Sequence, residues 1–233
     1  MSTPPQRRRG QGVEDRARSG SASRYGWAVG VIALVAIAYV TLNTVRHPGP
    51  GSRGPTPGKP LPPFAVPLAL SRIDKDANIA ARAARGAGGS RPACEVRGRD
   101  VLNVCDLARD APLVLAFFVT RGGEQCRREL DLMQAVGARY AGVRFAAVSI
   151  RGDRSALRRL VRAHRWSFPV GYDRDGAVAN LYGVAVCPTV TFAYPGRVVM
   201  ATSLGFLDAG RLAAALGRLV SGARARGWRP PRT

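Results

Sequence analysis

Residues 113–130 constrain the fold of this chain most tightly. Leu113-Val114-Leu115-Ala116-Phe117-Phe118-Val119 is an unbroken apolar run, Gly122-Gly123 interrupts it, and Leu130, Met133 and Val136 then recur at helical spacing. The stretch therefore reads as buried strand, turn and helix, with Cys126 at the helix N-terminus. Unpaired backbone N–H groups and the positive end of the helix dipole favour a thiolate there. Arg127 and Arg128 add cationic charge, which makes Cys126 a candidate for an activated thiol. About sixty residues on, Val186-Cys187-Pro188-Thr189-Val190-Thr191-Phe192 places a proline, with a cysteine just before it, at the mouth of a β-rich run. A fixed X-Pro peptide, cis or trans, at the start of a strand fits that pattern.

With 233 residues, 46% of them hydrophobic, the chain can build one domain of ordinary size plus extensions. Its formal charge of +21 would ordinarily raise nucleic acid as a partner. All but Lys59 and Lys75 of the 36 basic residues are arginine, however, and they are scattered over tails, linker and helix faces without interleaved aromatics. That is a pattern of solvated charge, and no nucleic-acid partner is expected. The two histidines are isolated, His47 in a linker and His164 late in a helix beside Arg165, and the four cysteines contain no Cys-x-x-Cys. No metal site is expected from them. The Gly-rich stretches lack the Lys-Ser/Thr of a phosphate loop, and no bound cofactor is expected.

Residues 1–25 are polar and basic and read as a disordered cytoplasmic tail. Residues 26–45 follow as a transmembrane helix. Trp27 to Val45 carries no charge, and a helix rising about 1.5 Å per residue needs about 20 such residues to cross a bilayer. The arginines before it predict a single-pass cell-membrane protein with the N-terminus inside. A cleaved signal peptide is the rival, since Ala36-Ile37-Ala38 has the spacing of a cleavage site. The apolar run continues well past that point, which favours a retained anchor, and both readings place the rest of the chain outside the cytoplasm. Residues 46–60 are rich in Pro and Gly and should form a partly extended tether.

The exported domain is expected over residues 61–220. Leu61-Pro62-Pro63-Phe64-Ala65-Val66-Pro67-Leu68 suits a sheet edge, and Ala80, Ala81, Ala83 and Ala84 suggest a short helix within residues 71–92. Residues 93–96 and 101–105 flank Arg97-Gly98-Arg99-Asp100 as a β-hairpin, which would set Cys94 opposite Cys105 as a structural disulfide. The Cys126 helix should end near Gly142. Then come a strand over residues 143–150, a helix capped by Asp153, a turn at Asp173-Arg174-Asp175-Gly176, one or two helical turns at residues 177–182, a hairpin of residues 189–194 and 197–202, and a helix started by Asp208. Residues 221–233, rich in arginine, read as a disordered tail. A parallel βαβ unit followed by an antiparallel ββα unit is an α/β layout with a central mixed sheet flanked by helices.

From about residue 60 to 220 the chain resembles the membrane-anchored thioredoxin-like proteins of the TlpA and ResA type, within the redoxin (AhpC/TSA and thioredoxin) superfamily. The resemblance rests on Pro62-Pro63-Phe64, the strand ending Phe117-Phe118-Val119-Thr120, Cys126-Arg127-Arg128-Glu129-Leu130, Asp173-Arg174-Asp175-Gly176-Ala177, Leu181-Tyr182-Gly183-Val184, and Pro188-Thr189 with Phe192. It implies a thioredoxin-like fold with an N-terminal β-hairpin extension, and an active-site groove that includes Gly123, Arg127, Pro188 and Thr189. It departs at one position, because the family's Cys-x-x-Cys is here Gly123-Glu124-Gln125-Cys126. Cys126 matches the resolving thiol, and the ordinary attacking thiol is absent.

In the resembled fold the residue before the cis-proline lies against the active-site cysteines, so Cys187 is expected to face Cys126. That pair could be redox-active, a structural disulfide or unlinked. The implied function is a thiol–disulfide oxidoreductase or redox relay acting on protein thiols through Cys126 and Cys187. Two other readings remain open: a redox-inactive thioredoxin-like binding module, and a peroxidase in which Cys126 is the peroxidatic thiol, although the position of that family's threonine holds Gly123.

Overall fold

A computed structural model of the protein describes residues 22–46, 53–73 and 92–231. It divides into two units, Met1–Gly49 and Pro50–Thr233. In the first, helix α1 (Ala22–Arg46) contains the stretch Tyr25–Asn43, of mean hydropathy 2.0, which is long and apolar enough to cross a membrane. The helix begins a few residues inside the expected cytoplasmic tail. The remainder of that tail, residues 47–52 of the Pro/Gly linker and the helix expected around Ala80 lie outside the described residues.

The second unit is built on β3 (Leu113–Phe118), every residue of which is buried. A strand with no polar side must be covered on both faces. β3 pairs in parallel with β4 (Arg144–Ile150) and antiparallel with β6 (Thr189–Tyr194). β5 (Val170–Asp173) and β7 (Val198–Leu204) complete a mixed sheet in the order β5-β4-β3-β6-β7. Val114, Ala116 and Phe118 point into one core with α3 (Glu124–Gly137), α4 (Arg154–His164) and α6 (Ala209–Ala225). Leu113, Leu115 and Phe117 point into a second core with β1 (Ala65–Pro67), β2 (Val101–Asn103), α2 (Val104–Leu107) and α5 (Ala177–Leu181). Asp153 caps α4 by accepting from the N–H groups of Ser155 and Ala156, and Asp208 caps α6 by accepting from Arg211 N–H.

The proline-rich segment lies at the sheet edges. Gly58 N–H donates to Val199 O (2.8 Å) and Leu61 N–H to Arg197 O (2.7 Å) along β7, while Ala69 N–H donates to Val170 O (2.8 Å) along β5. Residues 58–69 thus span the sheet from one edge to the other.

Three sequence expectations need correction. Residues 93–105 are not a hairpin: Ala93–Glu95 is a single 3-10 turn, and β2 pairs antiparallel with β1, more than thirty residues earlier. Helix α3 stops at Gly137 rather than near Gly142, where a Cβ at residue 137 would stand 2.9 Å from the Phe145 ring. Ser221–Ala225 belongs to α6, and residues 226–231 fold back. Trp228 N–H donates to Ala223 O, Arg226 lies 3.9 Å over the Tyr194 ring, and Gly142 adopts φ +81° where Trp228 and Pro231 close over it.

Candidate active site

The topology brings the two distant cysteines together. β6 lies beside β3 with Thr189 opposite Phe117, so the start of β6 reaches the end of β3, where the chain turns into α3. Gly123 is the N-cap of α3, and Cys126, the third residue of the helix, is only 2% exposed. Cys187 leads into Pro188 through a cis peptide. Cys126 and Cys187 form a disulfide with Cα atoms 5.8 Å apart, inside the roughly 7 Å that such a bridge can span.

The two sulfurs differ in surroundings. Cys126 sits among the unpaired N–H groups of the first helical turn, with Arg127 partly buried and Arg128 exposed beside it. Cys187 is partly exposed after the exposed Ala185 and Val186, and its Sγ lies 3.8 Å from Phe117 O. The buried Thr189 donates from Oγ1 to Val186 O (2.7 Å), and Gly205 N–H donates to Pro188 O (2.8 Å), so the Cys-Pro loop is held from both sides. Gly123 occupies a close approach. A Cβ there would stand 2.9 Å from Val119 Cγ2, 3.0 Å from Val119 O and 3.2 Å from Cys126 Sγ.

Glu129 is the site residue that motif reading missed. It lies one turn after Cys126 and is fully buried. Its Oε2 accepts from Leu207 N–H (2.7 Å), while Oε1 is buried without a hydrogen-bond partner. Burial raises its pKa to about 7; the Leu207 hydrogen bond opposes the shift, and the nearby Asp208 adds to it. A helical wheel could have found it, since Cys126, Glu129, Leu130, Met133 and Val136 form one buried stripe.

The other candidates have structural surroundings. Cys94 and Cys105 are bonded with Cα atoms 5.4 Å apart, Cys94 from the 3-10 turn and Cys105 from α2. Asn103 holds the two together: its Nδ2 donates to Ala93 O and Val96 O, and its Oδ1 accepts from Cys105 N–H. Arg197 Nη1 lies 3.6 and 3.5 Å from the two sulfurs. His164 Nδ1 meets Asp131 Oδ1 at 2.8 Å, and the same oxygen accepts from Trp166 Nε1. Among the described residues, no three His, Cys, Asp or Glu side chains cluster as metal ligands.

Residues 94–203, just under half of the chain, match the AhpC/TSA family. A solved protein from Chlorobium tepidum, described as a thiol:disulfide interchange protein DsbE, superposes with a TM-score of 0.54 over 72% of this chain and 97% of its own, at 20% identity. The domain is thioredoxin-like. The thioredoxin domain of a thiol-disulfide oxidoreductase from Bacteroides vulgatus shares the fold with a TM-score of 0.51 over 71% of this chain and 98% of its own, at 12% identity. In sequence, the thioredoxin-like domain is 31% identical over 91 residues to the thiol-disulfide oxidoreductase ResA of Oceanobacillus iheyensis. That match covers 38% of this chain and 47% of the relative, less than half of the relative's length.

Proposed function

We propose that the thioredoxin-like domain is a thiol–disulfide oxidoreductase or redox relay acting on protein thiols, with Cys126 and Cys187 as its redox pair. The observation that carries this reading is the disulfide joining the head of α3 to the cis-proline loop. Oxidation of a substrate dithiol sends two electrons into that bond. The products are a substrate disulfide and two protein thiols, and reduction of a substrate runs the same steps backward. Gly123, Arg127, Pro188 and Thr189 form the walls of the site. Glu129 lies one turn after Cys126 on the same buried stripe of α3, with its Oε1 unpartnered.

The same proposal covers the arrangement of the chain. Residues 1–25 form the cytoplasmic tail and 26–45 the membrane anchor; the tether, expected over 46–60, ends before Gly58, which is already bonded to β7, and the thioredoxin-like domain that follows is extracytoplasmic. The apolar stretch Tyr25–Asn43 and the arginines before it support this order.

Wild type, Cys126→Ser and Cys187→Ser should be compared for insulin reduction, trapped mixed disulfides and peroxide turnover. Loss of insulin reduction in both variants is expected. Equal inertness of all three proteins would leave only a binding module. Peroxide turnover that depends on Cys126 alone, through a sulfenic acid, would make the protein a peroxidase.

A further inference from the structure

Resting on the exchange reading above, we propose that Cys187, not Cys126, is the sulfur that accepts the incoming thiolate and carries the mixed disulfide. The reacting half of the redox pair has thus moved from the turn before α3 to the loop before β6.

Access and leaving-group quality point the same way. Cys126 is 2% exposed beneath the turn, whereas Cys187 is partly exposed behind the open Ala185-Val186. Leu204 pairs with Thr189, and Gly205 bonds to Pro188, so Leu204 and Phe206, both more than 40% exposed, run beside the Cys187 loop. An attacked disulfide breaks faster when the departing sulfur is the better thiolate. Cys126 has helix N–H groups and two following arginines to hold a negative charge. Cys187 has the Phe117 carbonyl oxygen at 3.8 Å, an acceptor that favours S–H over S⁻. Gly123 has no side chain, so the turn before α3 presents no competing sulfur at that position.

The steps balance. A substrate thiolate attacks Cys187 Sγ, the bond to Cys126 breaks, and its electron pair leaves on Cys126 Sγ, which then takes a proton. The second substrate thiolate attacks the substrate sulfur of the mixed disulfide and releases Cys187 as a thiolate, which is protonated in turn. The substrate dithiol has lost two electrons and the protein disulfide has gained them.

The test uses the oxidised full-length wild-type protein and glutathione as the attacking monothiol. Early time points are quenched in acid, free thiols are alkylated, and the position of glutathione is read by peptide mass mapping. Glutathione on Cys187 with alkylated Cys126 is expected, in about tenfold or greater excess over the reverse. In agreement, with glutathione disulfide as the reagent, the free Cys187 of Cys126→Ser should attack it, keep one glutathione and release the other as thiol, and Cys187→Ser should take up none on Cys126. Glutathione on Cys126 with alkylated Cys187, or an even split, overturns the assignment while leaving the exchange reading intact. A Cys126–Cys187 bond that never opens removes the exchange reading, and this assignment with it.

Discussion

Glu129 carries a pH dependence that can be signed. Its carboxyl holds a proton in the folded protein up to about pH 7, whereas its ordinary value is 4.5. Between those values the folded state binds a proton that the unfolded chain has released. Stability therefore falls as pH rises from about 4.5, and the loss is complete above about 7. Fully expressed, a shift of that size corresponds to about 3 kcal/mol. Glu129→Gln keeps an acceptor for Leu207 N–H and removes the charge. The variant should lose less stability than wild type between pH 5 and pH 8, by about 2 kcal/mol in urea unfolding. Some slope should remain, because burial also raises Asp173, to about 6. A second residue-scale prediction concerns Gly123→Ala. The added Cβ forces Val119 or the turn to move, and should cost about 1–2 kcal/mol by thermal unfolding. Cys126 was legible at this scale because a cysteine heading an apolar-periodic helix is a local pattern. The burial of Glu129 was hidden in an Arg-Arg-Glu sequence that looks solvated, since the group that covers it, Leu207, comes from a distant segment.

Among the elements, the strands and helices from residue 113 to 225 were largely readable, because each announces itself by its own periodicity and cap. Asp153 and Asp208 begin helices α4 and α6 as their sequence contexts suggest. The segment from 93 to 105 was misread because Arg97-Gly98-Arg99-Asp100 has the chemistry of a hairpin turn, while the partner that β2 takes is β1. Local residues cannot reveal a partner that far back in the chain. What replaces the hairpin is a turn held by the Cys94–Cys105 bond and by Asn103. Asn103→Ala would leave two carbonyls and the Cys105 N–H without that partner, and should lower stability by about 2–3 kcal/mol in urea unfolding. The C-terminal arginines misled in the opposite sense, since composition suggested a free tail. Truncation after Ala225 removes the Arg226–Tyr194 contact and the cover over Gly142. A Tm drop of several degrees is expected by calorimetry, where an unstructured tail would give none.

For the whole molecule, the apolar helix and the thioredoxin-like domain are separate units, and the topology proposed for them can be tested directly. Alkaline phosphatase fused after Thr233 should be active in a bacterial host, and a β-galactosidase fusion at the same point inactive. The reverse result would place the domain in the cytoplasm. The residues that bond β7 at Gly58 and Leu61 continue to Ala69 on β5, so one short segment fastens both rims of the sheet. Any tension arriving through the chain before Gly58 meets the backbone bonds to β7 first, and only then the cores and the cysteine pair. A pull through the chain before Gly58 would therefore load the Val198 end of β7, the end opposite Leu204 and the Cys187 loop.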